Sequence, residues 1–169
     1  MNNDVSIFQS KDIRDYKLVL EGLVDDFGYN YYHTLLCWCG IISPDKIFDT
    51  RYWQVWLVKV DGKNVGLCGL FAHYENSVEE LWLGWFGMVP KYRNKGIGEQ
   101  VLTFMTDTAK GLGTKRLMSY VDVAGAPLNF YYRNGFTRLS SVKEYLDNNP
   151  KASEDDFESL EDHVIVKNL

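Results

Sequence analysis

The amino-acid sequence predicts an α/β fold in which strand hairpins come first and a strand–helix–strand order follows. Residues 50–89 are rich in branched and aromatic side chains, which favour strands, and turn residues divide them into hairpins. A strand–helix–strand order follows, and this alternation is typical of an α/β sheet. The length of 169 residues, 46% of them hydrophobic and 24% charged, predicts a single globular domain spanning residues 1–169.

The first half of the chain is predicted to begin with a short strand and two helices. Asp12 is a candidate N-cap, because apolar residues recur after it at helical spacing. Ser43-Pro44-Asp45 indicates a turn or a helix start, and Asp61-Gly62 is typical of a tight β-hairpin. The predicted elements are a strand at 5–8, helices from 13 and at about 31–39, and strands at 52–58, 65–73 and 81–89.

In the second half, Pro90 is predicted to end a strand, because proline cannot donate to the hydrogen-bond ladder. A helix begins at about Gly96, and Gly111 or Gly113 ends it. Its apolar face is predicted to carry Ile97, Val101, Met105, Ala109 and Leu112. The remaining predicted elements are strands at 115–121, 135–142 and 163–166, a helix at 127–134, and a polar excursion at 143–161 with a short helix inside it.

Composition argues against several classes of function. The formal net charge is −5, whereas general nucleic-acid binding needs a basic surface. No run approaches the roughly 18 apolar residues that span a bilayer, and the N-terminal residues lack a signal-peptide pattern. Cys37 and Cys39 do not have metal-ligand spacing and are expected to be buried thiols. We therefore expect a cytoplasmic protein with no metal and no nucleic-acid or membrane partner.

The stretch from Met88 to Gly98 joins the end of an apolar strand, a basic turn and the N-terminus of a helix. The first N–H groups of a helix lack intrahelical partners, and the helix dipole adds positive charge there. Two glycines allow close backbone approach, and Arg93 and Lys95 add full charges, so the stretch is a candidate cradle for a phosphate or pyrophosphate. The alternative is an ordinary tight turn with solvated charges. The dinucleotide fingerprint lacks its third glycine here, and no Gly-Lys-Ser/Thr is present.

Two segments together point to a family. Residues 93–98 fit the pattern Arg/Gln-x-x-Gly-x-Gly with Pro90 before it, and Phe130-Tyr131-Tyr132-Arg133-Asn134-Gly135-Phe136 follows downstream. They resemble motif A and the Phe-Tyr-x-x-x-Gly-Phe segment of the GNAT N-acetyltransferase superfamily. The resemblance covers about residues 50–142. It implies a mixed, mostly antiparallel sheet with a splayed parallel strand pair, and acetyl-coenzyme A as co-substrate.

The resemblance also assigns residues to the coenzyme. It implies that the pyrophosphate is held by Arg93, Lys95 and the backbone of Asn94, Gly96, Ile97 and Gly98. The backbone of Phe86 and Met88 would contact the pantetheine arm, with one N–H near Phe86 or Gly87 polarising the acetyl carbonyl. Ala124 and Pro127 depart from the family, which often has Asn and a small residue at these positions.

Tyr131 precedes Gly135 at the spacing where the family keeps a tyrosine beside the coenzyme sulfur. Its hydroxyl stays protonated and is expected to assist the departing thiolate; packing is the alternative role. A base is harder to assign, because residues 81–89 contain no titratable side chain. Among the nearest groups, which are Glu79, Glu80, His73, Glu75 and Asp122, we prefer Glu80 acting through a water relay.

These features predict an N-acetyltransferase in which the primary amine of a small molecule attacks acetyl-coenzyme A directly. Aromatic residues of the N-terminal third would line the acceptor pocket or belong to the core; they are Tyr29, Tyr31, Tyr32, His33 and Trp38. A coenzyme-binding sensor without catalysis and a protein or peptide N-acetyltransferase are the alternatives. Many relatives pair as dimers, so a homodimer is a further expectation.

Overall fold

The computed structural model describes residues 4–23, 37–41, 43, 50–123, 126–152, 157 and 159–169. Over these residues the strands are β1 Val5–Phe8, β2 Thr50–Val60, β3 Lys63–His73, β4 Glu80–Met88, β5 Arg116–Val121, β6 Thr137–Ser141 and β7 His163–Asn168. The helices are α1 Ile13–Glu21, α2 Ile97–Gly111, α3 Ala126–Arg133 and α4 Val142–Asn148, and Pro90–Tyr92 form a 3₁₀ turn.

The strands form a seven-stranded mixed sheet in the order β1-β2-β3-β4-β5-β7-β6. The pairs β1–β2, β2–β3, β5–β7 and β6–β7 are antiparallel, whereas β4 and β5 are parallel. The parallel register joins residues 80–82 of β4 to residues 116–118 of β5. The predicted α/β class and the mixed, mostly antiparallel sheet with a parallel strand pair are therefore confirmed.

The chain forms two compact units, Met1–Tyr74 with Leu83–Asp107 and Glu75–Trp82 with Thr108–Leu169. Strand β4 contributes its first residues to the second unit and the rest to the first unit.

The core of the first unit lies where α1 packs on the hairpin of β2 and β3. Asp12 caps α1 as predicted, because its side chain accepts a hydrogen bond from the Arg14 N–H. The hairpin turns at Asp61 and Gly62, whose φ values are both positive, as a twisted two-residue hairpin turn requires. The buried side chains that meet in this core include Tyr16, Val19, Leu20, Val55, Leu57 and Leu67.

Helix α2 follows the basic turn and ends at a glycine motif. Gly113 has φ +77, and its N–H donates to the Lys110 carbonyl while the Thr114 N–H donates to the Ala109 carbonyl. This is the Schellman arrangement, so Gly113 rather than Gly111 closes the helix. Leu112 lies after the last helical residue and is 52% exposed, so its predicted place on the apolar face is wrong. Leu112 lies between the last helical residue and the left-handed Gly113, so its side chain no longer follows the spacing of the helix.

The second unit departs from the sequence prediction at one boundary. Val142 was predicted to end a strand, but it begins α4. Ser141 accepts a hydrogen bond from the Glu144 N–H, and the Glu144 carboxylate accepts one from the Ser141 N–H. This reciprocal capping box starts the helix and ends β6 at Ser141.

The three cysteines are buried free thiols, and burial raises the pKa of the Cys68 thiol. Within the described ranges, no group of three or more His, Cys, Asp or Glu side chains is placed to hold a metal ion. None of the helices described above is both long enough and apolar enough to cross a membrane.

Candidate active site

Strand β4 is continuous from Glu80 to Met88 but has an irregular backbone near its C-terminal end, which we call the break. Trp85 has φ +50, a conformation that a bulky side chain rarely adopts, and it lies directly before Phe86. Three rings surround the Trp85 ring, with centroid distances of 4.4 Å to Trp53, 5.5 Å to Trp38 and 5.8 Å to Phe71. Close packing on three sides holds the backbone in this conformation. The break turns peptide groups near Phe86 away from the directions of a regular strand.

Two glycines of β3, Gly66 and Gly69, lie next to β4. A Cβ atom on Gly66 would lie 2.7 Å from the Gly87 carbonyl oxygen and 2.4 Å from the Met88 sulfur. A Cβ atom on Gly69 would lie 3.0 Å from the Gly84 carbonyl oxygen. Only glycine permits this approach, so the position of β4 around its broken segment depends on the sequence of β3.

The basic turn after β4 has the backbone of an anion-binding loop. Asn94 and Gly96 have φ values of +58 and +74, and left-handed residues of this kind occur in nests, the concave backbone turns whose N–H groups converge on an anion. Residues 93–96 are exposed, whereas Ile97 is buried and anchors the first turn of α2. A Cβ atom on Gly96 would meet no atom within 4 Å, so the space beside this residue is open.

Contacts within the turn keep its three positively charged side chains near its backbone. The Arg93 Nε donates to the Met88 carbonyl at 2.7 Å, which ties the guanidinium to the end of β4. The Lys91 and Lys95 ammonium groups lie 5.3 Å and 5.2 Å from the centroid of the Tyr92 ring. Fixed N–H groups, the N-terminus of a long helix and three cations make this turn suitable for a pyrophosphate.

In the second unit, Tyr131 lies on α3 with its hydroxyl inside the protein. The side chain is 7% exposed, and its hydroxyl hydrogen-bonds to the side chain of Ser119 on β5. Burial raises the pKa of Tyr131 to about 12, and the hydrogen bond from Ser119 opposes part of this shift. Gly135, with φ +85, lets the chain turn so that the Phe136 N–H donates to the Tyr131 carbonyl. The Phe136 ring then packs at 5.2 Å from the Tyr131 ring.

These features agree with what known proteins show. The model of the acetyltransferase (GNAT) family matches residues 22–136, which include the broken strand, the basic turn and Tyr131. The chain belongs to the GNAT family.

Individual relatives are distant. The chain is 28% identical over 74 residues to an uncharacterized N-acetyltransferase, YycN, of Bacillus subtilis; the match covers 43% of this chain and spans about half of that relative, 47%. A GNAT acetyltransferase from Elizabethkingia anophelis with acetyl-CoA bound has a TM-score of 0.62 at 18% identity, and the match covers 99% of this chain and 100% of that one. N-acetylglutamate synthase from Neisseria gonorrhoeae, complexed with coenzyme A and L-arginine, has a TM-score of 0.64 at 20% identity, covering 98% of this chain and 33% of that one. At these identities the structures show a common fold.

Within this GNAT fold, Glu80 is the first residue of β4 and belongs to the second unit. It is 7% exposed, and its Oε1 lies 2.5 Å from the Arg116 Nη2, directly across the parallel register. Beside it, Glu79 pairs with Lys115, and the Glu79 carbonyl accepts hydrogen bonds from the Lys115 and Arg116 N–H groups. The two ion pairs form a clasp at the start of the β4–β5 pair. The ion pair with Arg116 gives Glu80 a structural role, which is the alternative to its predicted role as a base.

Sequence reasoning missed the partners that act across the sheet. Ser119 is the one small polar residue in the apolar strand β5, and that exception was the available signal. Arg116 could not be paired with Glu80 until the strand register was known. Tyr29, Tyr31, Tyr32, His33 and Ala124 lie outside the described residues. Trp38 is buried and packs against both Tyr16 and Trp85.

Proposed function

We propose that this GNAT protein is an acetyl-coenzyme A dependent N-acetyltransferase in which a primary amine attacks the thioester directly. The observation that carries the proposal is the open, cationic nest at residues 93–98, which follows a broken strand β4 and opens helix α2. Arg93, Lys95 and the N–H groups from Asn94 to Gly98 bind the pyrophosphate. The backbone of Phe86 and Met88 binds the pantetheine arm.

The chemical step requires charge stabilisation at two atoms. The amine nitrogen attacks the acetyl carbon, a C–N bond forms, and an N–H near Phe86 or Gly87 stabilises the oxyanion; such a donor is worth about 2.7–4 kcal/mol. The C–S bond then breaks, Tyr131 donates a hydrogen bond to the departing thiolate, and the nitrogen releases its second proton to water as the amide forms. The ammonium form of the acceptor first loses its proton to water, and we propose that Glu80 accepts it through that relay.

Binding and turnover test the proposal separately. We expect calorimetry to detect binding of acetyl-coenzyme A and of free coenzyme A, and a thiol-release assay to show turnover with an amine. Absence of binding at millimolar ligand would reject the proposal. Binding without thiol release over a broad panel of amines would favour the coenzyme-binding sensor instead. Turnover with peptide amines alone would identify a protein or peptide N-acetyltransferase.

Two matched variants separate the base role of Glu80 from its role in the clasp. Glu80→Gln and Arg116→Gln each remove the ion pair, but only Glu80→Gln removes the carboxylate. If Glu80 acts as the base, Glu80→Gln lowers kcat by about 10²-fold or more, whereas Arg116→Gln, which keeps the carboxylate, lowers kcat much less. Equal effects of the two variants on kcat would restrict Glu80 to the clasp.

A further inference from the structure

Ser119 is a polar side chain on an otherwise apolar face of β5. Successive residues of a strand point to opposite faces, so Leu117, Ser119 and Val121 share one face, and all three are buried. Ser119 is 5% exposed and is in register with Ile165 of β7, which is also buried. Burial of a hydroxyl costs free energy unless the hydroxyl makes a hydrogen bond, so its partners decide what Ser119 contributes.

Two oxygen atoms compete for the single proton of the Ser119 hydroxyl. The first is the Tyr120 carbonyl oxygen at 3.4 Å, which is well beyond the usual O–H···O distance of about 2.7–2.8 Å. The second is the Tyr131 hydroxyl oxygen. A hydrogen bond that favours the ionised form of a phenol is one donated to its oxygen, and the bond from Ser119 acts on the pKa of Tyr131 in this direction. Ser119 therefore donates to Tyr131.

The direction of this bond decides how the Tyr131 proton is used. The rings of Phe130 and Phe136 lie edge to face with the Tyr131 ring, at centroid distances of 5.4 Å and 5.2 Å, and restrict its orientation. A tyrosine hydroxyl carries one proton, and with Ser119 as the donor that proton is not spent on the bond between the two side chains. A hydrogen bond received by the Tyr131 oxygen also strengthens the bond that its own O–H donates.

We propose that Ser119 is a positioning residue for the reaction, whose hydroxyl donates to the Tyr131 oxygen and so directs the Tyr131 O–H, as a stronger donor, to the coenzyme sulfur. This inference rests on the proposed acetyltransferase function, in which Tyr131 assists the departing thiolate. Ser119 acts through Tyr131, so its effect disappears when the Tyr131 hydroxyl is absent. The effect concerns the charge on the sulfur and not the binding of the rest of the coenzyme.

Coenzyme binding at two pH values tests the inference without an acceptor amine. A donor at the sulfur favours the thiolate, so the pKa of the coenzyme A thiol falls below about 8.5, the ordinary value, when the coenzyme is bound. The affinity for coenzyme A therefore rises from about pH 6 to about pH 9, whereas acetyl-coenzyme A has no thiol and provides the baseline. The thiolate gain is the rise in coenzyme A affinity divided by the rise in acetyl-coenzyme A affinity, both measured by calorimetry.

Ser119→Ala removes the hydroxyl oxygen and little else. We expect this variant to lower the thiolate gain, and kcat in thiol release, by about threefold to tenfold, which is the contribution of one hydrogen bond. Ser119→Thr keeps the hydroxyl and restores both quantities. Ser140→Ala is the matched control, because the Ser140 hydroxyl on β6 is buried and makes no hydrogen bond within the described part of the chain. The control leaves the thiolate gain unchanged, and acetyl-coenzyme A binds all these variants with similar affinity.

A double variant separates action through Tyr131 from a structural effect of Ser119 on β5. Tyr131→Phe lowers the thiolate gain, and Ser119→Ala added to it lowers the gain no further. A thiolate gain that Ser119→Ala leaves unchanged, or a further loss in the double variant, would overturn the positioning role but leave the acetyltransferase function in place. Ser119→Cys, whose thiol is a weak donor, gives the same test if the alanine variant does not fold. Absence of coenzyme binding in calorimetry is a different failure, and it would reject the function itself.

Discussion

At the scale of single residues, the environment of Tyr131 limits what this side chain can do. With a pKa raised to about 12, the hydroxyl stays protonated throughout the neutral range. A free thiol has a pKa near 8.5, so full proton transfer from Tyr131 to a thiolate would be uphill by several kcal/mol. A hydrogen bond to the developing thiolate has no such cost. The structure thus favours hydrogen-bond donation over protonation as the contribution of Tyr131 to the proposed reaction.

Removal of this hydroxyl gives the first residue-scale prediction. Tyr131→Phe keeps the ring packed against Phe136 but deletes the donor. A hydrogen bond to a charged group is worth about 1.5–3 kcal/mol, so kcat is expected to fall by about ten- to a hundredfold. The coenzyme Kd, measured by calorimetry, changes little. Tyr132→Phe alters the exposed neighbouring residue and serves as the control. An unchanged kcat in Tyr131→Phe would remove this residue from the mechanism.

Burial of Tyr131 and Tyr145 predicts how the stability of the protein depends on pH in the alkaline range. The folded-state pKa of Tyr131 and of Tyr145 is about 12, above the ordinary value near 10, so folding favours the protonated forms. Their contribution to stability is complete below pH 10 and is lost as the pH rises towards 12. Phenolate absorbance should therefore show late-ionising tyrosines, with Tyr131 and Tyr145 among them. Tyr131→Phe should remove one of them and weaken the loss of stability in urea titrations between these pH values. Loss of no late-ionising group would contradict the assignment.

At the scale of elements, local rules account for much of what the sequence predicted. The hairpin at Asp61-Gly62, the N-cap at Asp12 and the strand end before Pro90 depend on neighbouring residues alone, and all three are confirmed. The start of α4 at Val142 departs from the prediction, because the capping box of Ser141 and Glu144 ends the strand one residue earlier. The Glu80–Arg116 and Ser119–Tyr131 contacts join distant parts of the chain, so no local rule reaches them.

The basic turn supplies the prediction at this scale. Gly96 has φ +74 and open space around it, so Gly96→Ala introduces no clash but disfavours the backbone of the nest. A left-handed residue costs about 1–2 kcal/mol for L-amino acids, and coenzyme binding is expected to weaken about five- to thirtyfold in calorimetry. Gly111→Ala is the matched control, because Gly111 also has open space and lies in helix α2. That variant should bind coenzyme normally and gain about 0.4–1 kcal/mol of stability. Equal coenzyme affinity in both variants would exclude the nest from the site.

At the scale of the whole molecule, strand β4 connects the two compact units through one continuous backbone. Its first residues pair with β5 in the second unit, and its later residues, with the broken segment at Trp85, belong to the first unit. Loss of either unit would therefore free part of the same strand. We propose that the two units unfold as a single domain spanning residues 1–169, as the length and composition predict.

Thermal unfolding tests this proposal together with coenzyme binding. A single calorimetric transition is expected, with equal calorimetric and van't Hoff enthalpies. A ligand present at a hundred times its Kd stabilises the native state by about 2.7 kcal/mol, so acetyl-coenzyme A should raise Tm by about 5–10 °C. The whole transition should move, because β4 carries the proposed pantetheine contacts and also pairs with β5. In Gly96→Ala the stabilisation by the same ligand concentration should be smaller by about 1–2 kcal/mol, so Tm should rise less than in the unaltered protein. Two transitions, of which the ligand moves only one, would show instead that the units fold independently and that the coenzyme stabilises one of them.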